Sequence, residues 1–450
     1  MEADVSVGIG DIAVYIPRQE MDLDRLVAAR TRADPGLGLH LERARRTTGQ
    51  LSIRFPRSWE DTATMASEAV KELYSRSGAS LPRTLRYLAV GTETGLDHSK
   101  PVSSYVQGML GCAGLRVPAT MTNFQLQHAC AAGTISLLGV AGLLALSRDP
   151  SDTGIVVAAD IARYEQATTA EITQGAGAAA LLVERNPRLL ELDVAGAGYC
   201  SMPVDDFFRP LGSFTARVKG QYSIQCYVRS FEEAFADHAR RAGKSPAELL
   251  GSTDYFVLHA PFRNMPEVAM QRLLATAVGL DKDQARAFLD EHSFGDGVNP
   301  VAAIGNTYAA SLYVGLACML EAQLYRIGQG IIGKRIMLAS YGSGNTMVVL
   351  SATVAREAPA VIASWGLARK LGSSDEASIT EYQEWMERSH YGSPTVEGSV
   401  PEGSFYLSGI REDGYREYGY RRSAAEKQGE HPGTESQASR NLHGSGALQG

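Results

Sequence analysis

The chain has 450 residues, 44% of them hydrophobic and 21% charged, with a formal net charge of −7. This balance is that of an ordinary folded chain and excludes a largely disordered one, and the length supports two or three domains or one large duplicated α/β unit. No basic block stands out, which argues against a nucleic-acid partner and means that any phosphate-bearing substrate must meet local positive charge.

Cysteine usage points to a reduced setting. There are five, Cys112, Cys130, Cys200, Cys226 and Cys318, an odd number with no pair at metal-ligand spacing. The opening MEADVSVGIGDIAVYIPR is acidic early and has no basic stretch before an apolar one, so it is not read as a secretory signal, and a cytoplasmic location is expected.

In chain order, GIGDIAVYIP reads as a strand stopped by proline, and Leu23 to Arg32 as a helix. Residues 59–78 start acidic, carry apolar residues at helical spacing and end in Gly78, which predicts an amphipathic helix. A strand over Tyr87 to Val90 runs into GTETG. The uncharged segment Ala129 to Leu146 has the length of a marginal membrane span, but its Gly and Ala content and its lack of aromatic or basic flanks predict a core helix buried on all sides. Further strands end at polar residues: Gly154 to Ala159 at Asp160, Tyr255 to Leu258 at His259, and Ile336 to Ala339 at Ser340. Strands alternating with helices predict an α/β fold with a mostly parallel mixed sheet.

A duplication is visible in outline. Cys130 opens one apolar small-residue helix, Asn306 opens a second, and each helix leads into a strand, as in two halves of an αβαβα layered fold. Residues 404–421 alternate apolar and polar around a turn and read as a terminal hairpin, and the polar, Gly/Ser-rich stretch 423–450 is expected to be disordered.

Four residues stand where chemistry gathers, and each has a plainer alternative. Cys130 at a helix start is placed to gain thiolate character, or is a small buried residue. His259 at a strand end belongs to a site, or only caps the strand. Glu93 just past a strand is a site carboxylate or a surface one, and Asn306 a ligand or a helix cap. Singly, none of these alternatives is decided.

The order of motifs decides more. VGTETGLDHSK, QHACAAGT, AADIARY, TQGAGAAALLV, DFFRP with KGQYS, HAPF, GNTYAASLY and YGSG follow one another from Val90 to Gly344, within a match that runs from about residue 6 to residue 421. This series resembles the successive signature segments of 3-hydroxy-3-methylglutaryl-CoA synthases, a branch of the thiolase superfamily. The resemblance implies a thiolase-like αβαβα fold of two halves, residues 1–190 with Glu93 and Cys130, and residues 191–422 with His259, Asn306 and Ser343. It implies that Cys130 takes an acetyl group from acetyl-CoA and that Glu93 is the base, then the acid, of condensation with acetoacetyl-CoA. His259, protonated, would polarise the acceptor ketone, and Asn306 and Ser343 would hold the second substrate. Asp160, Tyr164, Asp206 and Phe207 would line and support the site. Backbone N–H groups near Cys130 and along Tyr341, Gly342, Ser343 and Gly344 would face the enolate oxygen. It also implies no metal or redox cofactor, no membrane and a homodimer.

Three features depart from the family pattern. Ala131 follows Cys130, and HACAAGT with GNTYAAS is also similar to decarboxylating ketoacyl-carrier-protein synthases, although Glu93 and DFFRP argue against that reading. Arg263 is the only cation just after His259, so CoA phosphates would fall to Arg263 and Lys219, or the acyl group would ride on an acyl carrier protein, as in polyketide β-branching enzymes. Residues 37–54 carry Arg43, Arg45, Arg46 and Arg54, either a solvated helix face or a phosphate contact. A catalytically silent scaffold is the remaining alternative, disfavoured by Glu93, Cys130, His259 and Asn306 occurring together.

Overall fold

The structure is a computed structural model that describes residues 6–78, 81–388 and 400–423. The polar tail expected over 423–450 lies, past Ser423, outside the described residues.

Ten strands form one mixed sheet: β1 (Val7–Tyr15), β2 (Leu85–Gly91), β3 (Thr122–Leu126), β4 (Thr153–Ala162), β5 (Gly175–Arg185), β6 (Leu190–Leu192), β7 (Gly198–Ser201), β8 (Tyr255–Leu258), β9 (Arg335–Gly342) and β10 (Thr346–Val354). Their order is β8-β9-β10-β6-β1-β5-β4-β2-β3, with β7 also pairing β10. Outward from the antiparallel junction of β1 and β6, both halves repeat one scheme. On one side β1–β5 and β5–β4 are antiparallel and β4–β2 parallel; on the other β6–β10 and β10–β9 are antiparallel and β9–β8 parallel. The duplication seen faintly in the chain is thus written into the sheet, with parallel pairing toward the outside of each half.

Six helices complete the layers: α1 (Thr62–Ser77), α2 (Val102–Cys112), α3 (Ala132–Leu146), α4 (Gly220–Arg241), α5 (Met265–Val278) and α6 (Ser311–Ile327). Alternate side chains of one strand point to opposite faces, so Val156 and Ala158 of β4 pack inward with α3 and α6, while Ile155, Val157 and Ala159 pack outward under α1 and α2. In the second half Leu338 faces α3 and α6, and Met337 and Ala339 face α4 and α5. Strands covered on both faces read as unbroken apolar runs, which is why GIVVAA shows no alternation. The central pair of helices packs closely because small residues face the sheet: a Cβ on Gly133 would lie 2.8 Å from Ala158 Cβ. A hydrogen bond of 2.8 Å between the hydroxyls of Thr134 and Tyr313 joins α3 to α6.

Local signals account for the ends of several elements. Asp61 caps α1 with a reciprocal bond from Thr64, and the hairpin Ser404–Ile410 with Arg416–Arg421 buries Phe405 in the core beneath α1. Two expectations are corrected. Cys130 does not open the helix: α3 starts at Ala132, after a tight turn. Nor is α3 buried on all sides, since Leu143 is 41% and Leu146 85% exposed. The flank they occupy adjoins the half-exposed terminal strand β3, and no further layer covers it among the described residues.

Candidate active site

Two glycines, one from each half, bring the site together. A Cβ on Gly91, the last residue of β2, would sit 2.4 Å from the backbone of Ala132 and Gly133. A Cβ on Gly342, the last residue of β9, would sit 2.5 Å from His128 O and 2.8 Å from Ala131 N. Only hydrogen side chains let these strand ends close on the turn that carries Cys130. Within that turn Ala129 takes a left-handed φ of 42°, strain of a kind that collects at functional sites.

Past Gly91 the chain wraps around Asp160, at the far end of β4. Asp160 Oδ1 accepts from Thr92 Oγ1 (2.7 Å), Glu93 N (3.0 Å), Thr94 N (3.0 Å) and Thr94 Oγ1 (2.7 Å). Its Oδ2 accepts from Ala309 N at 3.0 Å, in the GNTYAAS segment of the other half. Asp160 is therefore the clamp that aims the Glu93 loop. Burial pushes the Asp160 carboxyl up, against the hydrogen bonds from Thr94 and Thr92.

The aimed loop sets Glu93 Oε1 3.5 Å from Cys130 Sγ. Burial and the neighbouring Asp160 push Glu93 up to about 8, opposed by Arg209 and by the Cys130 hydrogen bond. The thiol shares a buried cluster with Ala162, Tyr164, Ala216 and Tyr308, against which Phe207 packs. The three rings are mutually edge-on, with centroids 5.7 to 6.4 Å apart. Burial pushes the Tyr164 phenol up, and the Asn306 side chain opposes this.

This setting corrects the expected thiolate. The Ala131 and Ala132 N–H groups are spent on the carbonyls of His128 (3.1 Å) and Ala129 (3.2 Å). Burial, then Glu93 and Asp160, hold the Cys130 thiol well above its ordinary value. At rest Cys130 is a neutral thiol beside a carboxyl group.

His259 follows β8, its N–H donating to Ala339 O at 2.8 Å and its carbonyl accepting from the Tyr227 hydroxyl at 2.7 Å. Its Nδ1 is buried and has no hydrogen-bond partner among the described residues. Burial pushes the imidazole down to about 3, so the protonated His259 expected from the sequence is corrected to a neutral ring. Ser311 Oγ bonds both Ala260 O (2.8 Å) and Ala260 N (3.1 Å), tying this segment to the start of α6. Asn306 is buried just upstream, and its Oδ1 accepts from Tyr308 N at 2.8 Å, so it does cap the turn leading to α6.

Asp206 closes the opposite wall. It accepts from the hydroxyls of Tyr341 (2.8 Å) and Ser223 (3.1 Å) and from Gly344 N (3.0 Å). The Tyr341 hydroxyl and Gly344 N–H are thus engaged within the protein, while Gly342 is the wedge and Ser343 sits half-buried in the turn after β9. Three contributors were not singled out from the sequence: Tyr308 and Arg209, which lie inside quoted motifs, and Tyr227, which lies four residues past KGQYS. Arg209 Nη2 donates to the Glu93 carbonyl and lies 3.9 Å from the Glu93 carboxylate. What gives each its role is a contact across the chain, which no local pattern carries.

The candidate phosphate cations divide. Arg54 is corrected: it is buried in a small sheet of Gln19–Asp22, Ser52–Phe55 and Asp375–Glu376, bonding Pro17 O at 3.0 Å and Leu371 O at 2.6 Å. Arg45 is held by Glu42 at 3.0 Å and Asp24 at 3.2 Å, and Arg263 by Glu267 at 2.6 Å and Asn299 at 3.2 Å. Lys219 is paired with Asp205. Arg43 and Arg46 stand exposed on the helix Gly38–Thr48. Among the described residues no group of three or more His, Cys, Asp or Glu side chains is placed to hold a metal ion.

Comparison with known proteins follows the same outline. Residues 3–187 match the family described as hydroxymethylglutaryl-coenzyme A synthase N terminal, and residues 196–300 and 297–421 the corresponding C terminal. The hydroxymethylglutaryl-CoA synthase of Haloferax volcanii is 30% identical over 381 residues, covering 75% of this chain and 82% of that protein. A polyketide biosynthesis 3-hydroxy-3-methylglutaryl-ACP synthase of Bacillus subtilis, PksG, is 25% identical over 340 residues, covering 72% of this chain and 76% of that protein. The solved structure of MvaS in complex with 3-hydroxy-3-methylglutaryl coenzyme A superposes with a TM-score of 0.81 at 32% identity, over 93% of this chain and 100% of that one. With its duplicated sheet and a cysteine and glutamate in contact at the centre, the chain belongs to the hydroxymethylglutaryl-CoA synthase family.

Proposed function

We propose that the protein joins an acetyl thioester to acetoacetyl-CoA through an acetylated Cys130, giving 3-hydroxy-3-methylglutaryl-CoA. The observation that carries this reading is the contact of the Cys130 thiol with the Glu93 carboxylate, 3.5 Å apart in a buried aromatic enclosure. In the first step Cys130 Sγ attacks the acetyl carbonyl, the thioester bond to CoA breaks, and CoA leaves as the thiol with the proton Cys130 gives up. Glu93 then takes a proton from the acetyl methyl group, and the resulting carbon attacks the acceptor ketone. The ketone oxygen receives the proton from Glu93 and becomes the hydroxyl. Water finally cleaves the cysteine thioester.

Each step has a physical basis in the site. A carboxyl group near 8 is matched in strength to its two successive duties, base and acid, at near-neutral pH. The neutral His259, with an unpartnered Nδ1, is suited to donate a hydrogen bond to the ketone oxygen as charge develops there. Asn306 and Ser343 hold the acceptor, and Asp160, Tyr164, Asp206 and Phe207 support the enclosure. The steps balance without a redox partner or metal.

A carrier-bound acyl group would meet the same catalytic residues. Engagement of Arg45, Arg54, Arg263 and Lys219 within the protein leaves Arg43, and beside it the largely exposed Arg46 that meets Glu42 at 3.8 Å, as the candidate phosphate contacts in the basic segment, whichever carrier presents the substrate. A homodimer is in keeping with the uncovered β3 edge and the exposed Leu143 and Leu146, and a reducing cytoplasmic setting with five free cysteines. Light scattering gives the assembly directly.

The test is to supply acetyl-CoA and acetoacetyl-CoA, following free thiol release, acceptor loss and the mass of the protein. Turnover by the wild type, no acetyl adduct on Cys130→Ala, and an adduct without condensation on Glu93→Ala establish the roles. A wild type that is acetylated yet never consumes acetoacetyl-CoA refutes the CoA-dependent form, and activity with carrier-bound acceptors then identifies the alternative. Condensation of malonyl thioesters that survives Glu93→Ala would instead identify a decarboxylating enzyme.

A further inference from the structure

Arg209 is a cation that the proposed chemistry does not use, yet it is fastened to the proposed base. It belongs to the segment between α4 and β7, which reaches the site at three points. Asp206 holds the turn after β9, Phe207 packs against the Cys130 enclosure, and Arg209 extends to the Glu93 loop. A two-stranded ribbon, Phe207–Phe208 paired with Arg217–Val218, and the bond of 3.0 Å from Ala216 N to Arg163 O secure the segment.

The geometry at Glu93 is specific. One guanidinium nitrogen of Arg209 donates to the Glu93 backbone carbonyl and lies 3.9 Å from the carboxylate Oε2, while Oε1 faces Cys130 Sγ. The Arg209 side chain is 17% exposed and that of Glu93 6%, so solvent screens this pair weakly. The titratable or charged groups interacting with Glu93 are Asp160 from β4, Cys130 from the turn before α3, Tyr164 just past β4, Tyr308 just before α6, and Arg209 just after the ribbon strand Phe207–Phe208. Among them Arg209 is the cation. The planar fork of arginine suits it to bond a carbonyl and face a carboxylate at once.

We propose that Arg209 is a positioning residue for the base: it fixes the Glu93 backbone at its carbonyl, as Asp160 does at its N–H, and supplies the positive charge that lets Glu93 ionise beside Asp160. The second-half ribbon thereby completes a base carried by the first half. This inference rests on the reading of Glu93 as the base. Glu93 already sits well above an ordinary carboxyl group, and Arg209, with the Cys130 hydrogen bond beside it, opposes a further rise.

The test uses the full-length chain and Arg209→Met, Arg209→Lys and Glu93→Gln. Cys130 is first acetylated with acetyl-CoA, and single-turnover condensation with acetoacetyl-CoA is then followed from pH 6 to 10. An opposite charge at this range lowers a carboxyl pKa by roughly one unit or more, so Arg209→Met should move the acidic limb up by about one pH unit and slow condensation near neutrality about tenfold. Arg209→Lys should restore part of the shift, and the Cys130 adduct should still form in both. A limb that stays in place while rates fall equally at every pH makes Arg209 merely structural and overturns the inference. If Arg209→Met does not fold, Arg209→Lys alone decides, because a lysine at this site must leave a measurable upward shift. A limb that persists in Glu93→Gln refutes the base reading itself, and the positioning role falls with it.

Discussion

Glu93→Gln should make the protein more stable, by an amount that grows as pH rises from about 4.5 to about 8. The Glu93 carboxyl is held at about 8 against an ordinary value of 4.5, chiefly by burial and the nearby Asp160. Its folded-state pKa is raised, so the contribution to stability is fully present below 4.5 and is lost as pH rises through 8. Within that window the folded protein keeps a proton that the unfolded chain has released. A difference of about 3.5 units corresponds to about 5 kcal/mol, an upper figure because Asp160 and Arg209 relax with it. Glutamine keeps the shape and cannot ionise, so its advantage over the wild type should be small at pH 5 and grow to several kcal/mol by pH 8.5. With a melting entropy of about 2.1 cal/mol/K per residue, a chain of this length turns that into about 5 °C of melting temperature. Thermal unfolding of both proteins at pH 5, 7 and 8.5 measures it. An advantage that is equal at all three values would show that Glu93 is not a buried ionising group, and the electrostatic picture of the site would fail with it.

Other expectations follow from the same geometry. Asp160→Ala should cost at least about 3 kcal/mol, since it strips the acceptor from five buried or part-buried donors, and should abolish condensation; urea denaturation together with the thiol-release assay reads both. Gly342→Ala should cost about 1–3 kcal/mol by pressing on His128 O and Ala131 N, and should slow acetylation of Cys130, which intact-mass kinetics would show. His259→Ala should lower condensation by about 10²-fold or more while the acetyl adduct forms as before; an adduct that fails to form would place His259 in the first step instead. Because the His259 imidazole is held near 3, its contribution to stability is present above about 6.5 and is lost as pH falls through the folded value. Melting temperatures between pH 4 and 6.5 should therefore fall less with acid in His259→Gln than in the wild type.

The chain by itself determined what depends on neighbours in sequence. The acidic start, apolar spacing and final glycine of residues 59–78 marked α1, the run Tyr255–Leu258 marked β8, and the alternation in 404–421 marked a hairpin, because end signals and side-chain periodicity act over a few residues. The ordered motifs carried Glu93, Cys130, His259 and Asn306. Only the tertiary structure decided their chemical states. Sequence placed Cys130 at a helix start and suggested a thiolate, but its thiol meets Glu93 in a buried enclosure and is held neutral. His259 passes for a charged donor until the strands around it remove water. Arg54 looked like one more surface cation until a strand from residues 375–376 joined the edge it lies beside. Arg209 could not be recognised at all, since its carboxylate partner lies more than a hundred residues away in the chain and in the other half of the fold. Burial and charge are summed over every segment that meets at a point in space, and local pattern holds no record of which distant segments those are.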